Sequence, residues 1–460
     1  MGRLSMRHVT FLALMTAFAA RAQVGGGQGR LPSIPTDGGA TTSAQDSGFS
    51  PWLSVNGTYT HYLDSVPSQV AYQGLQPGFA GGISGWKSWN QKKFEASYAG
   101  STGGASNTTS GSGWTQNHTV MLGYSQQVNQ KASFGVTQVG GYTHGGYGYG
   151  SAYGITGVPG LSSSFGPGST ASGALNGEFG DVGNNGVVSG ELLSTLSKFS
   201  LSSASASYML DQRWMVSGMG GVSFVRRSDK LYSQDTFQGG GGISYRLTQK
   251  SQMGGEFMQQ NSRYSNLFGG VSSQSAMLTF QTQLSQTLTV TGGGGIGRIR
   301  SDFVGSVPID PALAALLGTS TILQATQTSF LTPYYSAGVS KQFERGSLSI
   351  QGGRGSSAGN GVVMAGVQDT ATVSYSRILS ERIGTSWFAN YSRLSGRVAT
   401  LAVTEAAQTG GMLSLRVFRS VSLTCQAGFR YQSVSTTSRR RDLFAGFGLA
   451  WSPGGHPFTF

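Results

Sequence analysis

A single cysteine in 460 residues, Cys425, rules out an internal disulfide, so nothing in this chain is stapled by oxidation. Charge is scarce as well, Asp, Glu, Lys and Arg together making 11% of the residues. Apolar residues reach only 38%, and no run of about 18 of them exists to form a transmembrane helix. The five histidines (His8, His61, His118, His144, His456) are scattered, without the spacing of metal ligands, which argues against a zinc site. No cofactor is implied. What abounds is glycine, with 73 residues, accompanied by serine, threonine, glutamine and many aromatics. A soluble globule of this composition would struggle to offset its chain entropy with one core. Disorder is the alternative, and the regular placement of the aromatics opposes it.

The chain opens with Arg3 and Arg7, an apolar stretch from Val9 to Ala20, and Ala20-Arg21-Ala22 in the small-x-small form that signal peptidase reads. Residues 1–22 are therefore expected to be a secretory signal peptide, and residues 23–48 a flexible periplasmic lead-in rich in Gly, Pro, Ser and Thr. Losing three arginines takes the formal charge from +13 to about +10. That balance suits anionic neighbours such as phosphate-bearing lipids, or a pore that favours anions. No basic nucleic-acid motif is present, so nucleic acid is not expected as a partner.

From Pro51 onward apolar and polar residues alternate. Val421, Leu423, Cys425, Ala427, Phe429 and Tyr431 interleave with Ser422, Thr424, Gln426, Gly428, Arg430 and Gln432, the period of two of a half-buried strand. On that apolar face Cys425 is expected to act as a small buried hydrophobe. Short polar turns recur near Gln91, Asn129, Asp211, Gln249, Ser285, Glu344, Ser380 and Arg419, several about 36 to 39 residues apart. They mark hairpins joined on the opposite side by longer connections. The expected fold is all-β: a closed antiparallel transmembrane β-barrel over residues 49–460, with about eighteen strands (sixteen as the alternative), short periplasmic turns and long extracellular loops. The strands are expected to begin near residues 52, 79, 94, 119, 132, 201, 214, 237, 253, 276, 288, 335, 348, 371, 383, 413, 421 and 443. Two loops are long. The third runs from about Thr143 to Ser197. The sixth, from about Ser301 to Thr332, has the cap, proline and glycine of a short helix over Asp310–Gly318, expected to fold inward or pack on the rim.

The export signal, ten-residue alternating strands and aromatic C-terminal strand resemble the porin-like barrels of the Gram-negative outer membrane. Gly446-Phe447-Gly448-Leu449-Ala450-Trp451 is similar to the terminal-strand signal read by the barrel-assembly machinery, although the chain continues to Phe460. In general porins the long third loop constricts the lumen. The resemblance makes Glu178, Phe179 and Asp181 the candidate constriction residues here.

The function expected is a porin-like channel for passive diffusion of small hydrophilic solutes, with a wet wall of Ser, Thr, Gln and Gly. The alternatives are a loop-plugged barrel serving as surface anchor or export component, and an outer-membrane hydrolase; catalysis is not expected. Gly355-Ser356-Ser357-Ala358-Gly359 has the hydrolase nucleophile pattern without its following helix, and Gly292, Gly294 and Gly297 have dinucleotide spacing in the middle of a strand, where glycine serves curvature or a tight lumen. Only His61 and His144 are placed at the outer rim. The charges expected in the lumen are Arg246, Glu256, Arg416, Arg430 and Glu95. Arginines recur at the outer strand ends: Arg226, Arg227, Arg263, Arg298, Arg300, Arg354, Arg393, Arg397, Arg439, Arg440 and Arg441. They are expected at headgroup level, binding phosphates of outer-membrane lipids, lipopolysaccharide included.

Overall fold

The computed structural model describes residues 47–63, 74–89, 91–104, 114–144, 197–227, 233–264, 269–308, 321–357, 366–396, 403–418, 420–434 and 438–452. The expected signal peptide, the Asp310–Gly318 helix, Glu178, Phe179, Asp181, Arg397 and Phe460 all lie outside them. Every regular element among the described residues is a strand. In chain order they are β1 (Ser47–Tyr62), β2 (Gly74–Trp89), β3 (Lys92–Gly104), β4 (Trp114–Gln127), β5 (Ala132–His144), β6 (Ser197–Met209), β7 (Trp214–Arg227), β8 (Gln234–Arg246) and β9 (Ser251–Tyr264). There follow β10 (Gly269–Ser285), β11 (Leu288–Pro308), β12 (Thr321–Phe343), β13 (Gly346–Ser357), β14 (Gly366–Ile378), β15 (Ile383–Gly396), β16 (Val403–Arg416), β17 (Val421–Val434) and β18 (Ser438–Trp451).

Each strand pairs antiparallel with its chain neighbours, and β1 closes on β18 from Leu53↔Trp451 to Tyr62↔Asp442. Closure leaves no unpaired edge along the shared length, which is what allows strands to cross a bilayer. All eight expected tight turns are present, on one rim. At the β6–β7 turn the Asp211 carboxylate accepts the backbone N–H groups of Arg213 and Trp214, both at 2.6 Å. Those two donors hold its carboxyl below the ordinary value of 3.8. A depressed folded pKa stabilises the turn above the ordinary value and loses that contribution as pH falls through the folded one. Amide-exchange protection at Arg213 and Trp214 is therefore expected to drop at pH below 3.8, and to be missing at every pH in Asp211→Ala. Equal protection in both proteins at neutral pH would rule out this role.

Two expectations need correction. The sixth loop does not span Ser301 to Thr332: β11 and β12 stay paired from Ser301↔Thr328 to Pro308↔Thr321, a hairpin that runs past the other strands. Alternation fades there because apolar and polar residues are mixed on both faces of the ladder, Phe303, Val307 and Ile322 on one and Val304, Ala325 and Leu323 on the other. Cys425 sits on the apolar face as expected, but that face points outward and the thiol is exposed.

Register separates the two faces of the wall. Outward on β7 stand Trp214, Val216, Val222 and Phe224, while Met215, Ser223, Val225 and Arg227 point into the lumen. Eleven residues, Trp214 to Phe224, rise ~25 Å at the usual strand tilt, the height of an apolar band in an outer-membrane barrel. Aromatics flank that band. Near the turns Trp214 packs on Tyr245 at 4.7 Å and Tyr124 on Phe134 at 5.7 Å. Near the opposite rim His118 stacks on Tyr142 at 4.8 Å and takes a 2.7 Å hydrogen bond with Tyr98. His118 is thus a rim histidine that sequence reasoning missed.

Candidate functional site

The described strands enclose the lumen, and its wall changes character with height. On β9 the lumen-facing Gln252, Gly254, Glu256 and Met258 are half-buried, whereas Gln260, Ser262 and Tyr264 nearer the outer rim are buried. On β10 the same change falls between Ser275 and Ser273, and on β11 between Gly295 and Gly297. On β9 to β11 the inner part therefore carries half-buried Ser, Thr, Gln and Gly, while on β4 and β7 the lumen-facing Met121 and Met215 are buried. The outer part does not. Its lumen face carries the apolar side chains Ile299 and Leu394, each 1% exposed, and Phe444, 5% exposed.

A local departure from the barrel helps close this end. β13 pairs with β12 only as far as Tyr335↔Arg354, yet continues with β14 to Ser357↔Gly366. Beyond Arg354, the Ser356 hydroxyl donates to the Ser273 hydroxyl of β10 at 3.1 Å. Since β11 and β12 lie between those strands in the wall, the β13–β14 tip must cross behind them on the lumen side. Ser356 and Val367 are outward by strand parity, but are 7% and 6% exposed, because their face packs on the inner wall. Ser356, the neighbour of Ser357 at the centre of the hydrolase-like pattern, is thus the contact of an inward-folded tip; Ala358 and Gly359 lie outside the described residues.

All five charges expected in the lumen face it. Glu95 is ion-paired with Lys93, two residues along the same face of β3. Arg430 lies directly opposite Asp442 on β18, 3.9 Å away, with its guanidinium 5.5 Å from the Phe444 ring. Asp442 is 1% exposed. Glu256 sits between Gly242 and Met277 in mid-wall, and Arg246 and Arg416 stand at the turn-side mouth. Lys93 and Asp442 were missed, although the odd-numbered outward face of the last strand places Asp442 inward.

The rim arginines divide. Arg227 is not at headgroup level: next to outward Arg226 it must point inward, and it is 8% exposed in the lumen. Arg440 has the lumen-facing parity between Arg439 and Arg441, and its side chain lies outside what is described. The other described ones are outward. On β13 to β16 one register row reads Arg354, Asp369, Arg393, Glu405, alternating in sign around the barrel. Arg354 grips Asp369 through Nε and Nη2 at 2.6 and 2.8 Å, and Arg393 meets Glu405 at 3.3 Å. Arg226 pairs with Asp235, and Arg300 with Asp302 at 3.2 Å. Neither Arg263 nor Arg298 meets a carboxylate among the described residues.

A closed antiparallel barrel with an apolar outward band, aromatic girdles and tight turns on one rim settles the architecture. The fold is that of a Gram-negative outer-membrane β-barrel. No family model matches the chain, and no curated protein matches it in sequence. Solved structures do match in shape. The ferric-catecholate import receptor Fiu from E. coli K12 aligns at 8% identity with a TM-score of 0.42, covering 89% of this chain and 82% of that one. The ferric citrate transporter FecA aligns at 11% and 0.42, covering 86% of this chain but 61% of its own. The outer-membrane protein OpdK from Pseudomonas aeruginosa aligns at 9% and 0.38, covering 88% and 99%. Among the described residues, no group of three His, Cys, Asp or Glu side chains is placed to hold a metal ion.

Proposed function

We propose that the protein is a channel through which small hydrophilic solutes diffuse across the outer membrane, with a preference for anions. The observation that carries this reading is the half-buried, polar and glycine-rich lumen wall on the inner part of β9 to β11, inside a barrel of eighteen strands. Barrels of this size have room for water, whereas eight-stranded ones are filled by side chains. Lumen-facing charges with described side chains are Lys93, Arg227, Arg246, Arg416 and Arg430 against Glu95, Glu256 and Asp442, so the wall is basic in balance. Arg246 and Arg416 carry that excess at the turn-side mouth, without an ion pair among the described residues.

Purified protein in planar bilayers is expected to give discrete conductance steps, with a reversal potential in a potassium chloride gradient on the chloride side. Arg246→Glu combined with Arg416→Glu is expected to move it to the potassium side. A cation-selective parent would overturn the assignment of the excess charge. A second reading, a closed barrel serving as surface anchor or export component, is favoured by the buried outer lumen and the Ser273–Ser356 contact. Absence of conductance at every voltage, in a protein that is folded, would select it.

A further inference from the structure

Outward glycines gather on one side of the wall. In the register rows from β7 to β11, Gly218, Gly241, Gly255 and Gly294 share the outward face with Ala276. Around them stand Ile243, Phe257, Leu278 and Ile296, the last two 69% and 65% exposed. Bare backbone between tall side chains leaves a recess of about 680 Å³, lined on its outward face by apolar atoms. Its floor is open: a Cβ added at Gly294 would meet nothing within 4 Å, and one at Gly255 only the Leu278 side chain at 3.9 Å.

The polar residues begin directly above. The next outward row on β9, β10 and β11 is Gln259, Gln274 and Arg298, and two rows higher comes Arg263. Arg298 donates from Nε to Ser329 at 3.0 Å, leaving the rest of its guanidinium free of any described carboxylate. Arg263 lies opposite Asp235, which already holds Arg226. Lys198 stands beside Arg226 on β6. On β13 to β16, by contrast, both arginines have a carboxylate of their own. Basic charge without a described carboxylate therefore stands above the recess, as it also does at Arg439 on β18. Arg298 lies four residues above Gly294, and Arg263 eight above Gly255, ~10 to 20 Å along a tilted strand, the depth of one leaflet.

We propose that this recess seats a phosphorylated lipid of the outer leaflet, lipopolysaccharide. One acyl chain lies over Gly255 and Gly294, and a phosphate is held by Arg263 and Arg298. An acyl chain gains by filling a groove that two flat surfaces would leave empty, and guanidinium matches phosphate oxygens in pairs. A second copy of the chain is a poorer occupant, since a self-complementary contact would bring like-charged rims together.

The test is lipopolysaccharide retained by the full chain, extracted from outer membranes in mild detergent and weighed by native mass spectrometry. Heat-modifiable electrophoretic mobility confirms folding. Gly255→Leu with Gly294→Leu fills the recess; Arg263→Ala with Arg298→Ala removes the phosphate grip. Each pair is expected to cut retention about tenfold, the scale of two lost charge-assisted hydrogen bonds or a few unburied methylenes. Ala427→Leu with Ala445→Leu, on the outward face of β17 and β18, is the control and keeps the parental level. Ile296→Ala removes one side of the recess without adding bulk and is expected to lower retention too. Equal retention in all variants overturns the proposal. So does loss in the arginine pair alone, which leaves a charged rim without a seat. An oligomer of the parent that the leucine pair dissociates would give the recess to a second copy. Retention is read independently of conductance, so this proposal and the channel reading can fail separately.

Discussion

Gly295→Val leaves almost no folded barrel, while Gly294→Val, one residue away, assembles like the parent; that contrast is the result expected from the geometry of β11. Both positions are glycines in the same strand, so their backbone freedom and their gain in β-propensity on substitution are matched. They differ in face. A Cβ on lumen-facing Gly295 would stand 2.0 Å from the Ala276 carbonyl oxygen and 2.7 Å from the Met277 Cα, both backbone atoms that no rotamer change can move. Room for it comes only by parting β10 from β11, which breaks ladder bonds worth about 1 kcal/mol each and leaves their groups unsatisfied in the membrane. Outward-facing Gly294 has open space. The measurement is the fraction of outer-membrane protein in the heat-modifiable, protease-resistant form, compared for the two variants. Similar yields, whether both high or both low, would mean that close backbone approach does not explain this glycine.

That pair also shows what the sequence could and could not tell. The spacing Gly292, Gly294, Gly297 invites a nucleotide-binding reading, and strand alternation is enough to reject it. Which glycine is indispensable depends on the coil of the wall, and no periodicity carries that. Strand starts at Ala132, Trp214, Leu288, Ile383 and Val421 were legible to the residue, because each follows a tight turn and enters the apolar band at once. Starts on the opposite rim were not. β12, read from Tyr335, begins at Thr321, because it pairs with β11 beyond the other strands, and β16, read from Leu413, begins at Val403, because its outward Ala407, Thr409 and Gly411 are too small or polar to mark an apolar face. The lumen charges were read from parity alone. Their partners were not, because Arg430 and Asp442 meet only when β17 and β18 are in register. The inward-folded tip was hidden for a further reason. At Ser356 and Val367 the outward face of the strand becomes a buried one, so alternation points the wrong way.

The tip yields the largest expected change in function. Val367→Asp should raise single-channel conductance several-fold. Val367 is 6% exposed against the inner wall, and a carboxylate placed there without a partner costs several kcal/mol. The Ser356–Ser273 hydrogen bond, worth about 1 kcal/mol net, cannot hold the tip against that cost. Swinging into water relieves the charge and widens the outer end of the lumen. A disulfide supplies the converse arm. The two serine oxygens are 3.1 Å apart, compatible with the short Cβ separation a disulfide needs, so Ser273→Cys with Ser356→Cys should oxidise readily in a Cys425→Ser background. Adding Val367→Asp to that locked tip should leave conductance at the parental level until a reductant is supplied, then release the full increase. If Val367→Asp conducts like the parent both before and after reduction, the β13–β14 tip does not limit passage, and the constriction belongs to Ile299, Leu394 and Phe444 around it.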